Sequence, residues 1–145
     1  MATAEAAFGI TFGYADTIDG TYTSVGEISD LTPPSITKDI IETTSHGSTN
    51  GVKTYIGGLV DNGEASVTVN YDPTDAAHTA IRDLAKTAHE ADSALKFFKF
   101  TFANSGDSTE AFKGIVTGFE QQAPIDDKLS ATFTIKVTGE VTYTA

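Results

Sequence analysis

Three histidines, His46, His78 and His89, are the side chains that titrate near neutrality without help from their surroundings. None stands at metal-ligand or triad spacing from a partner, so each reads as an exposed or structural side chain. The acidic pairs Asp16 with Asp19, Asp72 with Asp75, and Asp126 with Asp127 offer the oxygens that a hard cation takes, but none has EF-hand spacing. Turn and cap chemistry accounts for each pair more simply. Gly47, Gly51, Gly57 and Gly58 fit no dinucleotide or Walker pattern running into a helix. A glycosidase would need two carboxylates in contrasting environments, and with 20 Asp and Glu residues chance pairs carry no weight. The aromatic run Phe97, Phe98, Phe100 and Phe102 has only Lys96 and Lys99 beside it, so it reads as core and not as a stacking platform for bases. No catalytic residue, cofactor site or metal site is expected.

The bulk composition points the same way. Lys and Arg total 9 against 20 Asp and Glu, for a net charge of -11 and a pI near 4.4, and Arg82 is the single arginine. Tight binding of phosphate backbones needs clustered cations, which this chain lacks. Such acidity serves solubility, or a surface past which a polyanion slides without sticking. There is no cysteine, which excludes disulfides, thiolate nucleophiles and Cys-based metal sites. Met1 to Gly9 carries Glu5 and lacks the basic-then-apolar pattern of a secretory signal, and no apolar run approaches a bilayer span. A soluble protein without a membrane partner is expected. The 145 residues suit a single domain spanning 1–145. Plentiful Thr, Gly, Ser and Asp with little Leu favours strands and turns.

The elements that must carry these residues are mostly strands. Phe8 to Ala15 and Thr21 to Ile28 flank the turn signal Asp19-Gly20 and predict a hairpin. Leu31-Thr32-Pro33-Pro34 reads as a stiff crossover before a further extended run, Ser35 to Thr44. From about 44 to 62 the chain is rich in turn formers, with only Val52 to Ile56 strand-like; a loop of that length is usually functional. Glu64 to Tyr71 alternates, with Ala65, Val67, Val69 and Tyr71 on one face. Asp72 as N-cap and Pro73 at the first position predict a helix over about 73–88, with Ala77, Ile81, Leu84, Ala85 and Ala88 as its apolar stripe. In Leu95 to Phe102 the Phe97-Phe98 pair breaks the alternation, through a bulge or because both faces are covered. Asn104 to Ser108 supplies a turn into the strand Ala111 to Phe119, where Gly114 and Gly118 leave room for a neighbour. The last strand sets Leu129, Ala131, Phe133, Ile135 and Val137 against Ser130, Thr132, Thr134 and Lys136, and continues past Gly139 through Val141 and Tyr143. Its length and threonine-rich side suit a large barrel or an extended sheet with one wet face.

This layout resembles the major tail tube proteins of long, non-contractile phage tails and of gene transfer agents. The stretches that carry the resemblance are Ile28-Ser29-Asp30-Leu31-Thr32-Pro33-Pro34 running into Ile40-Ile41-Glu42-Thr43-Thr44-Ser45-His46, and Val67-Thr68-Val69-Asn70-Tyr71 leading to Asp72-Pro73-Thr74. The resemblance implies a mainly β fold, a β-sandwich or barrel-like domain with one flanking helix and a long protruding loop. It implies a structural virion protein that self-assembles into stacked hexameric rings, with inner strands joined into one barrel through which DNA passes without specific binding. It further implies tail terminator, tape-measure and baseplate or distal tail partners, and a place in the virion tail after assembly in the host bacterial cytoplasm. By the same carry-over Ser45 to Leu59 forms an arm to an adjacent subunit or ring, comprising Ser45, His46, Gly47, Ser48, Thr49, Asn50, Gly51, Val52, Lys53, Thr54, Tyr55 and Ile56 at its heart. The same carry-over turns Glu64, Ser66, Thr68 and Asn70, with Ser130, Thr132 and Thr134, toward the lumen, while the alternation alone leaves lumen and outer surface open. Lys136 departs from an acidic channel and calls for a strand-end position or a neighbouring carboxylate.

Two other classes compete. A monomeric carbohydrate-binding or adhesive β-sandwich module on a virion or cell surface would expose Trp or Tyr to sugar rings, and this chain has no Trp and five Tyr. A small glycosidase is the third reading.

Overall fold

Alternating side chains leave each extended segment with one apolar and one polar side, and the strands that form are β1 (Thr11–Ala15), β2 (Thr23–Val25), β3 (Ile28–Thr32), β4 (Thr37–Glu42), β5 (Tyr55–Asp61), β6 (Glu64–Asn70), β7 (Lys96–Thr101), β8 (Thr109–Gln122) and β9 (Ser130–Thr144). The computed structural model describes residues 9–47, 49–88, 95–103 and 107–144. Seven strands make one antiparallel sheet in the order β2-β1-β7-β8-β9-β6-β3, and β4 pairs with β5 in a separate two-stranded sheet. The fold is mainly β with one helix, α1 (Ala76–Lys86).

The expected inward faces are the observed ones. Ala65, Val67, Val69 and Tyr71 are buried, as are Ala131, Phe133, Ile135 and Val137. They meet Phe12, Phe98, Phe100 and Phe112 in a single core, where Phe12 lies 4.9 Å from the Phe100 ring and 5.7 Å from Phe98. Gly114 has a strict packing reason: a Cβ there would fall 2.5 Å from Ile135 Cγ2, the rigid branch of a buried side chain.

Helix α1 lies over β8 and β2 through Ala77, His78 and Ile81. Its N-cap is Asp75, whose carboxylate accepts from the amides of Ala77 at 2.8 Å and His78 at 3.1 Å. The expected cap, Asp72, instead accepts from the Thr74 amide and hydroxyl at 2.9 and 2.6 Å, so Asp72-Pro73-Thr74 folds as a side-chain turn and the helix covers 76–86 instead of 73–88. Ala88 lies beyond it and is exposed. Asp75→Ala is expected to lower stability by about 1 kcal/mol through two orphaned amides, read as a shift in urea midpoint at unchanged slope.

His78 is the one buried polar side chain among the described residues. Its Nδ1 accepts from the Asp72 amide at 3.2 Å and its Nε2 donates to Gly26 O at 2.8 Å, which fixes the tautomer by its partners. Gly26 belongs to the short link from β2 to β3, the two outermost strands, so this structural histidine ties the helix entrance to the sheet margins. His89 lies outside the described residues.

Several other expectations change. The second strand of the first hairpin is only Thr23–Val25, because Ile28 opens β3, which pairs with β6. Leu31 and Thr32 belong to β3, so the proline crossover reduces to Pro33 and Pro34. No bulge sits at Phe97-Phe98: both ladders of β7 run in continuous register, Phe98 enters the core, and the half-buried Phe97 lies under the Lys113 ammonium. Gly118 meets only ordinary contacts with Thr134, so its small size is not demanded. Past Gly139, at φ 81°, Val141 is buried but Tyr143 is exposed. The turn expected at Asn104 to Ser108 and the polar exit at Glu90 to Ser93 fall largely or wholly outside the described residues.

Candidate assembly surface: a polar face, two free edges and an arm

The side of the sheet opposite the core is a ladder of hydroxyl and amide groups. Across β6 and β9 the register places Glu64 opposite Lys136, Ser66 opposite Thr134, Thr68 opposite Thr132 and Asn70 opposite Ser130. The Thr68 and Thr132 hydroxyls lie 3.1 Å apart. Strand β8 extends the rows, with Ile115 beside Lys136, Gly118 beside Thr134, Glu120 beside Thr132 and Gln122 beside Ser130. The seven residues that the resemblance assigns to the lumen share one face; Glu64 is exposed and the rest are half-buried.

Lys136 has the carboxylate partner that its position calls for: its ammonium donates to Asp61 Oδ1 at 3.1 Å. Asp61 also accepts from the Gly63 amide at 2.9 Å. The Gly63 amide first, and the Lys136 ammonium second, hold the Asp61 carboxyl below the usual carboxylate range. With a depressed pKa, the stabilisation is present above the unfolded-state value and is lost as pH falls through the folded value. Both side chains are largely exposed, so the contribution is small. In an NMR titration, Lys136→Met is expected to raise the Asp61 midpoint only part of the way to its ordinary value, because the Gly63 amide remains.

The same residues root a projecting hairpin. Asn62 Nδ2 donates to Gly139 O at 2.7 Å and the Val137 amide donates to Gly63 O at 3.1 Å, binding the start of β6 to β9. Gly63 has φ 68°, and a Cβ on it would meet Ser35 O at 2.8 Å, so only glycine fits where the two legs of the hairpin come together. From this root β4 and β5 project, nearly every residue exposed. The loop expected over 44–62 is therefore strand from Tyr55 to Asp61, and the arm begins at Thr37, well before Ser45. Thr43 extends the pairing through its amide to Thr54 O at 2.8 Å, and Thr54 returns a bond to Thr44 Oγ1 at 2.9 Å. Ser45, His46, Gly47, Thr49, Asn50, Gly51, Val52 and Lys53 make the exposed tip, while Tyr55 and Ile56 lie on β5; Ser48 is outside the described residues. Residues that the loop reading missed are Ile40, Ile41 and Val60, and their signal was present in the apolar neighbours Ile40-Ile41, Tyr55-Ile56 and Leu59-Val60.

Among the open edges of the described strands, two border the polar face. β3 pairs with β6 on one side only, and β8 beyond Gly114 pairs with β9 only, because β7 ends at that register. These edges bound opposite sides of the four-stranded span β8-β9-β6-β3. No group of three or more His, Cys, Asp or Glu lies close enough to hold a metal among the described residues, and no helix there is long and apolar enough to cross a membrane.

Comparison with known proteins follows this geometry. The family model described as lambda phage tail tube protein matches residues 9–144. No curated protein matches by sequence. Among solved structures, the chain is similar to a chain of the tail of an empty gene transfer agent particle refined with C6 symmetry, at TM-score 0.75 and 13% identity over 98% of this chain and 100% of that one. It is similar to a chain of the sheath/tube terminator of an extracellular contractile injection system, at TM-score 0.75 and 11% identity over 99% of both chains. The SPP1 tail tube gives TM-score 0.62 and 15% identity over 92% of this chain and 74% of that one.

Proposed function

The chain belongs to the lambda phage tail tube protein family, a structural component of virion tails, and from that premise we propose that six copies close into a ring and that rings stack into a tube carrying DNA. The observation that supports ring closure best is the pair of open edges on opposite sides of β8-β9-β6-β3. An edge strand left bare is a template for pairing, and joining unlike edges head to tail makes a closed ring when the rotation returns on itself. The sixfold symmetry of the similar gene transfer agent tail suggests the number. Six four-stranded spans make a barrel of twenty-four strands, wider than the 16–18-stranded barrels that already leave an aqueous channel.

In that ring Glu64, Ser66, Thr68, Asn70, Ser130, Thr132 and Thr134 line the bore, since the opposite face is spent on the core. A hydroxyl-rich wall that adds the carboxylates of Glu64 and Glu120, with Lys136 held by Asp61 and an overall charge of -11, gives a polyanion little to grip. The sheet, helix and arm act as one tail tube domain whose work is mechanical and not catalytic. Terminator, tape-measure and baseplate or distal tail proteins would meet the tube at its ends and inside it, in line with the similarity to terminator, cap and baseplate chains. Assembly takes place in the host bacterial cytoplasm before the tail joins the virion.

Light scattering of the purified chain followed by negative-stain microscopy tests this. Rings or tubes with sixfold end views are expected; a strict monomer across all concentrations would sink the proposal.

A further inference from the structure

The chain has two Asn-Gly pairs, Asn50-Gly51 at the tip of the arm and Asn62-Gly63 at its root. Asn-Gly is the dipeptide that closes on itself most readily, because glycine puts no side chain in the way when its own amide nitrogen attacks the asparagine carboxamide. The closure needs a carboxamide that can turn toward the main chain, a glycine nitrogen that can lose its proton, and a backbone that can swing between them. The fold treats the two pairs oppositely on all three counts.

At the root both reacting groups are engaged. Asn62 Nδ2 donates to Gly139 O at 2.7 Å, which holds the carboxamide against β9, and the Gly63 amide donates to Asp61 Oδ1 at 2.9 Å. Taking that proton would leave two anions side by side. Gly63 O accepts from the Val137 amide at 3.1 Å, and Ser35 crowds the Gly63 α-carbon, so the backbone cannot swing without loosening the root from the sheet. The tip has none of this. Asn50 and Gly51 are exposed, and no hydrogen bond holds the Asn50 side chain among the described residues. A Cβ placed on Gly51 would meet nothing within 4 Å, and the bond from the Val52 amide to Thr49 O across the tip is long, at 3.4 Å. Asn50 stands at φ 62° and ψ 18°, a left-handed conformation that a residue with a Cβ holds at a cost, so the local backbone does not oppose rotation away from it.

We infer that Asn50 is a site of spontaneous deamidation in the folded subunit and that the fold protects Asn62 from the same reaction. The Gly51 nitrogen gives its proton to hydroxide and bonds to Asn50 Cγ; the Cγ–Nδ2 bond breaks, and that nitrogen takes a proton from water and leaves as ammonia. Water then opens the cyclic imide at one of its two carbonyls, leaving aspartate or isoaspartate at position 50, with nothing oxidised or reduced. Either product adds a carboxylate to the tip, and isoaspartate also lengthens the main chain by a methylene. A stored subunit therefore changes at the far end of its arm while root and sheet stay as made. The inference holds whether or not the chain forms tubes.

The full chain is kept in warm, mildly alkaline buffer at a concentration where light scattering reports free subunits, with a second sample unfolded in urea. Trypsin, cutting after Lys38, Lys53 and Arg82, puts Asn50 and Asn62 on separate peptides, whose deamidation is followed by mass spectrometry. In the folded chain Asn50 is expected to react about tenfold or more faster than Asn62, because the hydrogen bonds at the root must break before closure there. In urea the two are expected to react at similar rates. Asn62 keeping pace with Asn50 in the folded chain, or an Asn50 that stays intact there, overturns the inference. Asn50→Gln is expected to remove the more acidic species that ion exchange resolves from the aged chain, since closure through the longer side chain needs a slower six-membered ring. Persistence of that species in the variant would place the change elsewhere and equally overturn the assignment.

Discussion

Excising Thr37–Asp61 and closing the gap with two glycines is expected to abolish tube formation while leaving a folded subunit. The two legs of the arm already meet where Ser35 O lies against Gly63, so a two-residue turn spans the cut without moving the main sheet. None of the core residues of the seven-stranded sheet lies in the excised stretch, whose large apolar side chains are exposed and stand outside that core. Losing Lys136 to Asp61 costs little because that pair is largely exposed. Near-ultraviolet circular dichroism and the melting temperature should stay close to the parent values, while sedimentation and microscopy find no tubes. Tubes of ordinary yield from the excised chain would end the assignment of assembly to the arm.

The second large effect lies inside the sheet. Phe133→Ala is expected to destabilise the subunit by about 3–5 kcal/mol, a large share of the roughly 5–15 kcal/mol that holds a domain together. Phe133 is fully buried in the first part of β9, opposite Val67 on β6 and Phe119 on β8, with its ring 5.3 Å from Phe119. Its neighbour Thr132 points to the polar face, so Thr132→Ala loses only the 3.1 Å contact with the Thr68 hydroxyl and is expected to cost about 1 kcal/mol or less. Chemical denaturation of the two variants side by side measures the contrast. Equal losses would mean that the two faces of β9 have been assigned the wrong way round.

The site was legible unevenly. Ser66 with Thr68, and Thr132 with Thr134, were readable as the polar sides of their own strands, because a period of two forces alternate side chains to opposite faces; only the pairing of β6 with β9 joins them into one row. The arm was legible as an unusual segment but not as a hairpin. Gly57 and Gly58 interrupt β5 and hid it as a loop, and the pairing that makes it a strand comes from β4. The helix start slipped by one cap for a similar reason: Asp72 and Asp75 are equally good caps in sequence, and only the bonds from Asp72 to Thr74 leave the role to Asp75.

Composition and alternation by themselves determined that this chain is acidic, rich in strands and provided with one wet and one dry face, because charge and side-chain parity are local properties. Which strands stand side by side, which edges stay open at β3 and β8, and how Asp61 comes to hold Lys136 were decided only by the tertiary structure. Those features join residues far apart in the chain. Their energies depend on burial and register, which no local stretch specifies.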